Sequence, residues 1–223
     1  VSPGSQVRRR SAEPGNEPPS PAIDEVAAAV ADRGWCVAPG FLAPAEVAAI
    51  AGEARQLWES GDFRRAGVGH GRDLQVRPEI RSDFVHWIDP ATATPAIGRY
   101  LGRVEALRLA LNERAFLGLF DFEAHLTIYP PAAFYRRHLD RFRAVPWRTV
   151  SLVLYLAEGW RPEDGGELRL YLDPAGEGEA VDVPPAGGTL VAFLSEQFWH
   201  EVLPARRERM SLTGWLTVRR ASP

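Results

Sequence analysis

From Phe122 onward the chain breaks into apolar runs of strand length: "FEAHLTIYP", "RTVSLVLYLAE", "GELRLYL", "EAVDV", "GTLVAFLS", "FWHEVLPA" and "RMSLTGWLTV". Turn-forming residues separate them, at Pro130-Pro131, Asp164-Gly165-Gly166, Pro174 to Gly178 and Pro184 to Gly188. Short strands at this spacing pack as antiparallel sheets in a jelly roll or barrel. The preceding third is helical. Asp24 can cap "EVAAAVADR" and Gly34 can stop it. "GWCVAPGFL" reads as a short strand and turn. In "PAEVAAIAGEARQLWESG", Pro44 falls in the first turn and Gly61 just past the end. Val47, Ile50, Ala51, Ala54, Leu57 and Trp58 then share one helical face. Residues 62–78 read as irregular or hairpin, and a third helix is expected over Thr94–Leu109. The expected class is mainly β (α+β), a jelly roll over about 116–219 backed by helices over about 23–115, with no internal repeat.

The chain has 223 residues, which suits one domain with an extension. Residues 1–22, rich in Pro, Ser, Gly and Glu, are expected to form a flexible tail, with the arginines at 8–10 solvated. A net charge of −3 gives no general electrostatic case for nucleic acid or an anionic membrane. No apolar run is long enough to span a bilayer, and no signal-peptide pattern opens the chain. One cysteine, Cys36, excludes an internal disulfide and fits the cytoplasm as a small core residue. Lysine is absent, so Schiff-base lysine chemistry is excluded.

Chemistry concentrates around "FYRRHLDRFR", residues 134–143. On a strand, residues two apart point the same way, so His138 and Asp140 can aim at one point while Leu139 turns into apolar packing. His200, near the end of the strand-like "FWHEVLP", is the candidate third ligand. Two histidines and a carboxylate occupy one face of an octahedral metal and leave three positions open, as in non-haem Fe(II) oxygen chemistry. A closed structural zinc site would take four ligands. Strand alternation places Arg209, Ser211, Thr213 and Trp215 on one face, opposite Met210, Leu212, Gly214 and Leu216. Tyr155 shares a face with Ser151 and Val153. An inward arginine needs an anion, and a guanidinium with a phenol suits a carboxylate. Two such groups near an open Fe(II) site suggest a bound oxo-acid.

These residues resemble the Fe(II)- and 2-oxoglutarate-dependent oxygenases over roughly residues 35–219. The likeness is to the prolyl 4-hydroxylase branch, with the animal oxygen-sensing prolyl hydroxylases and their bacterial relatives. His138-x-Asp140, His200 and Arg209 match the iron triad and the cosubstrate arginine, and "HEVLP" and "SLTGW" match family text. Tyr155 in "LYL" matches a tyrosine on the distal carboxylate. Tyr129 in "IYPP" is similar to the family tyrosine before His-x-Asp, one residue closer here. Tyr135 resembles a pocket residue, and "IRSDFVHWID" resembles a segment at the substrate entrance. Arg148, seven residues before Tyr155, matches a substrate-contacting arginine, and by that match Asp83 and Arg148 pair at the pocket mouth.

The resemblance implies Fe(II) on His138, Asp140 and His200, and 2-oxoglutarate against Arg209 and Tyr155, with Tyr129 and Thr213 in the same pocket. O2 is the oxidant, succinate and CO2 are the coproducts, and ascorbate is a candidate reductant. Trp215, Arg148, Asp83 and Tyr135 would line the substrate side. The favoured reaction is hydroxylation of a prolyl residue in a protein or peptide. A small-molecule hydroxylase stands as the alternative, and a non-catalytic metal- or 2-oxoglutarate-binding sensor or scaffold as a rival from another class. No nucleic-acid or membrane partner is expected, and the oligomeric state stays open.

Several residues have plainer readings. His125 is expected as a hydrogen-bonded wall residue, His70 as a loop residue, and Phe198 and Trp199 as packing. His86 either shapes the entrance or is simply half-exposed. The arginines at 136, 137, 141 and 143 either draw in an acidic partner or form a solvated rim. Glu158, Glu163 and Asp164 read as a solvated turn. The segment 67–89 hints at a lid.

Overall fold

The computed structural model describes residues 21–69, 74–141 and 145–219. Residues 1–20, which carry most of the expected tail and its arginines, lie outside the described residues, as do His70 and Arg143. Helix α1 (Pro21–Arg33) begins two residues before the expected start, so the tail reading does not extend to residues 21 and 22. Asp24 lies in its first turn rather than capping it, paired with Arg114 at 3.0 Å. Gly34 ends it with φ of 84°, donating to the Val30 carbonyl. Strand β1 (Trp35–Ala38) follows, then α2 (Pro44–Glu59), with Val47, Ile50 and Ala54 buried.

Helix α3 (Pro95–Ala115) runs six residues past its expected end. Thr94 caps it by accepting from the Ile97 N–H. No glycine stands at its C-terminus, so the helix continues to Phe116, which takes the left-handed conformation itself. Asn112 then clamps the exit by bonding both the N–H and the carbonyl of Leu119.

The remaining strands are β2 (Arg64–Arg65), β3 (Phe84–Trp87), β4 (Leu119–Tyr129), β5 (Tyr135–His138), β6 (Arg148–Tyr155), β7 (Leu168–Tyr171), β8 (Ala180–Val183), β9 (Leu190–Leu194), β10 (His200–Val202) and β11 (Arg209–Val218). Seven form one sheet in the order β1-β9-β6-β11-β4-β3-β2, and four form a second in the order β5-β10-β7-β8. Every ladder between these named strands is antiparallel.

Strand alternation divides the core in two. On one face of the larger sheet, Leu126, Ile128, Leu152, Leu154, Leu212 and Leu216 pack against the three helices. On the other, Tyr129, Val153, Tyr155, Val191 and Phe193 meet Leu168, Leu170, Val183 and Val202 of the smaller sheet. The layers are therefore helices, large sheet, small sheet, which is a jelly-roll sandwich backed by helices. Gly214 sits mid-strand between β4 and β6. A Cβ there would come within 2.7 Å of the Glu123 carbonyl and 2.5 Å of the Phe122 ring, so only glycine fits.

Candidate active site

The site lies between the two sheets, each wall contributing different chemistry. In the small sheet, β5 and β10 pair so that His138 stands directly opposite His200. Their rings approach to 4.2 Å between centroids. The ladder thus brings together two imidazoles that lie far apart in sequence. Each ring is oriented by its Nδ1, which bonds the Arg136 carbonyl at 2.8 Å and the Phe198 carbonyl at 3.1 Å respectively. Both Nε2 atoms then face Asp140, at 3.6 Å from Oδ1 for His138 and 3.5 Å from Oδ2 for His200.

Two local expectations differ. Strand β5 ends at His138, so Asp140 reaches the site from a bend beyond the strand rather than by alternation along it. Leu139 is half-buried and lines the cavity instead of joining either core cluster. His200 opens β10 rather than closing a strand, while Phe198 is buried in the packing before it.

The three ligand atoms lie within 4.8 Å of one another. Burial opposes the Asp140 charge. The His200 charge, the His138 hydrogen bond and charge, and the Ser151 hydrogen bond outweigh it and hold the carboxyl well below the usual range. Burial and the neighbouring His138 lower His200 to about 4, so at neutral pH its lone pair is free for a metal. Two imidazole nitrogens and one carboxylate suit an Fe(II) ion with open positions.

The large sheet supplies the anion-binding wall. Arg209 opens β11 opposite Tyr129 of β4, and Ser211, two residues on, stands opposite Tyr155 of β6. The Arg209 Cζ lies 4.9 Å from the Tyr129 ring centroid and 5.1 Å from that of Tyr155. Arg209 is 1% exposed, yet its Nε and Nη1 have no hydrogen-bond partner, and neither has the Tyr155 hydroxyl. Burial raises the Tyr155 pKa despite the adjacent guanidinium, so the phenol stays a donor. Buried donors left unpaired on one wall are costly unless a ligand takes them up. A carboxylate from 2-oxoglutarate fits that demand. Thr213 and Tyr129 line the same cavity, with Ser211 Oγ 3.3 Å from Thr213 Oγ1.

The mouth is arranged differently from the expected Asp83–Arg148 pair. Asp83 is buried against Arg81, two residues away on the same segment, through paired bonds of 2.7 and 2.5 Å. Arg148 instead bonds Glu123 at 2.7 Å and lies 3.5 Å over the Trp215 ring. The shortest connections win: β3 leads from Arg81-x-Asp83, while β4 carries Glu123 beside the β11 face that holds Trp215. Arg81 also covers Tyr135 at 4.1 Å, and Tyr135 stacks on His138 at 3.6 Å. A groove lined by Arg64, Arg65, Trp87, His125, Arg148 and Trp215 leads into the metal cavity. Arg141 pairs with Glu196 at 2.8 Å, and Arg137 bonds the Gly176 carbonyl, so these two rim arginines are engaged within the chain. His86 is partly exposed and bonds the Asp62 carbonyl.

His125 is a buried wall residue, as expected, bonded through Nδ1 to Thr127 Oγ1 at 2.8 Å. Burial, aided by the Arg81 charge, lowers it to about 3. The unfolded chain, with an ordinary histidine near 6.5, binds the extra proton between the two values. Stability is therefore complete above about pH 6.5 and falls as pH drops through the window toward 3. The expected slope from this group is about 1.4 kcal/mol per pH unit. Urea melts of wild type and His125→Gln between pH 7 and 4 check it: the variant's curve should be flatter. Equal slopes would remove His125 from the account.

Sequence reasoning gave Ser151 and Trp87 no role at the site. Ser151 bonds Asp140 Oδ2 at 2.6 Å, and Trp87 is an exposed lip packed edge-on to His125 at 5.0 Å. The only signal for Ser151 was its place on the Tyr155 face.

A family model for the 2OG-Fe(II) oxygenase superfamily matches residues 124–217, which hold all these ligands. Among solved structures, a Pseudomonas putida prolyl-4-hydroxylase is 48% identical, covering 88% of this chain and 100% of its own, with a TM-score of 0.81. A Trichoplax adhaerens prolyl hydroxylase, in complex with a hypoxia inducible factor oxygen degradation domain peptide fragment, is 26% identical over 87% of this chain and 88% of its own, with a TM-score of 0.78. The hypoxia-inducible factor prolyl hydroxylase of Caenorhabditis elegans is 28% identical over 82% of this chain. The chain spans about a quarter (26%) of that relative's length. The facing imidazoles, the carboxylate between them and the guanidinium opposite with two unpaired nitrogens have the same explanation as these likenesses: the chain belongs to the Fe(II)- and 2-oxoglutarate-dependent oxygenases, in their prolyl hydroxylase branch.

Proposed function

We propose that the protein hydroxylates a prolyl residue of a peptide or protein. The observation that carries this reading is the pairing of an open three-ligand centre with unpaired buried donors on the opposite wall. Fe(II), 2-oxoglutarate and O2 would supply the oxidation, giving succinate, CO2 and one oxygen atom inserted into a substrate C–H bond. The chain's own residues bind, orient and exclude water. His138, Asp140 and His200 would hold the metal. Arg209 and Tyr155 would donate to the far carboxylate of the cosubstrate, and Tyr129 and Thr213 would bound the space between. Tyr155 is fully buried and Val153 and Leu168 line the same cavity, which keeps water from the reacting region. Arg148, braced by Glu123 and laid on Trp215, would present a fixed cation and an aromatic plane to the substrate. Tyr135, wedged between Arg81 and His138, would line its path, and Asp83 would act through Arg81.

The preference for a peptide over a small molecule is supported by the Pseudomonas and Trichoplax likenesses and by the groove extending past the metal cavity to the exposed Trp87. Among the described residues no helix is long and apolar enough to cross a membrane. The single cysteine and a ferrous centre that must stay reduced support a cytoplasmic setting. The test is turnover of a proline-containing peptide library with Fe(II) and 2-oxoglutarate in air, read by mass spectrometry and succinate release. A peptide gaining one oxygen at proline, matched by succinate, is the expected result. Succinate coupled only to free amino acids or other metabolites would overturn the peptide reading.

A further inference from the structure

Asp140 lies beyond the end of β5, where no ladder fixes it. Two other groups do. Ser151 Oγ of β6 lies 2.6 Å from Asp140 Oδ2, and Ser195 Oγ lies 2.9 Å from Ser151 Oγ. Both serines are fully buried. An ionised carboxylate only accepts, and each hydroxyl has one proton to give. Ser151 therefore donates to Asp140, and Ser195 donates to Ser151. Ser195 also holds the surroundings: its carbonyl accepts from the Arg141 N–H at 3.1 Å, and its own N–H donates to the Thr149 carbonyl at 3.0 Å. One residue thus grips both the chain after the metal carboxylate and the strand that carries Ser151.

We propose that Ser195 and Ser151 form a positioning relay that holds Asp140 through Oδ2, with Oδ1 3.6 Å from His138 Nε2 and Oδ2 3.5 Å from His200 Nε2, and keeps the carboxylate from rotating into two-oxygen metal binding. This rests on the metal-centre reading above. An oxygenase of this kind needs three free positions, and a carboxylate rotating into two-oxygen binding would close one. A short hydrogen bond to a charged acceptor in a dry site is strong enough to resist that rotation.

The test is Co(II) titration of the purified protein, by calorimetry and by its visible spectrum, with thermal melts alongside. Ser151→Ala is expected to weaken Co(II) about 10- to 100-fold and to change the spectrum. Ser195→Ala should do less, and the double variant should be no worse than Ser151→Ala, because the two act in series. Ser151→Thr, which keeps the hydroxyl, should recover affinity. Should Ser151→Ala fail to fold, Ser195→Ala and Ser151→Thr carry the comparison by the same readouts. Wild-type affinity and spectrum in Ser151→Ala, or in a folded Ser195→Ala where Ser151→Ala does not fold, would overturn the relay alone. A wild-type protein that takes no Co(II) would overturn the metal centre and the relay together.

Discussion

Replacing Arg209 with methionine is expected to raise the 2-oxoglutarate concentration for half-saturation by roughly 30- to 1,000-fold, with metal binding kept. Loss of one charge-assisted, two-pronged contact in a buried site costs on the order of 2–4 kcal/mol, which converts to that range. The measurement is anaerobic calorimetry of 2-oxoglutarate against metal-loaded protein. Unchanged affinity would refute the carboxylate role. The same substitution has a second, opposite effect. Without ligand, a guanidinium 1% exposed with two unpaired nitrogens is a burden on the fold. Methionine fills similar space without it. The ligand-free variant should therefore melt no lower than wild type, which separates lost recognition from lost folding.

Asp140→Ala is expected to abolish metal-dependent turnover while the circular dichroism spectrum stays that of the wild type. Asp140 is the one carboxylate of the triad, and its removal leaves only two imidazoles, facing each other at 4.2 Å. Metal affinity should fall by more than the ~10- to 100-fold that loss of a mere outer partner costs. The fold has less to lose, because Asp140 lies outside the ladders and belongs to neither apolar cluster. Isothermal titration with Fe(II) under anaerobic conditions, beside succinate release, reads both. Turnover at the wild-type rate would sink the triad.

Alternation along the strands made the two walls legible from the sequence. Arg209, Thr213 and Trp215 line the cavity while Met210, Leu212 and Leu216 enter the helix-facing core, as the period of two requires. Tyr155 and Val153 separate from Leu152 and Leu154 in the same way. Pairings decided by register between distant strands were not legible. Glu123 rather than Asp83 takes Arg148 because β4 lies beside β11, and nothing local to either residue says so. Ser151 and Ser195 are 44 residues apart and meet only because β6 pairs with β9. Helix α3 outruns its expected end for the opposite reason: no local stop signal stands near Leu109, and Phe116 takes up a conformation usually left to glycine.

The division of labour between the sheets has a consequence for selectivity. The proposed metal ligands His138 and His200 belong to the small sheet, and the proposed cosubstrate partners Arg209 and Tyr155 to the large one. A cosubstrate held at both ends, as proposed, would span the gap between two layers, and face-to-face sheets keep a spacing of about 10 Å. The sandwich then serves as a gauge of molecular length. A diacid one carbon shorter or longer would reach one wall and fall short of, or overrun, the other. The correct one would act as a strut that ties the layers together.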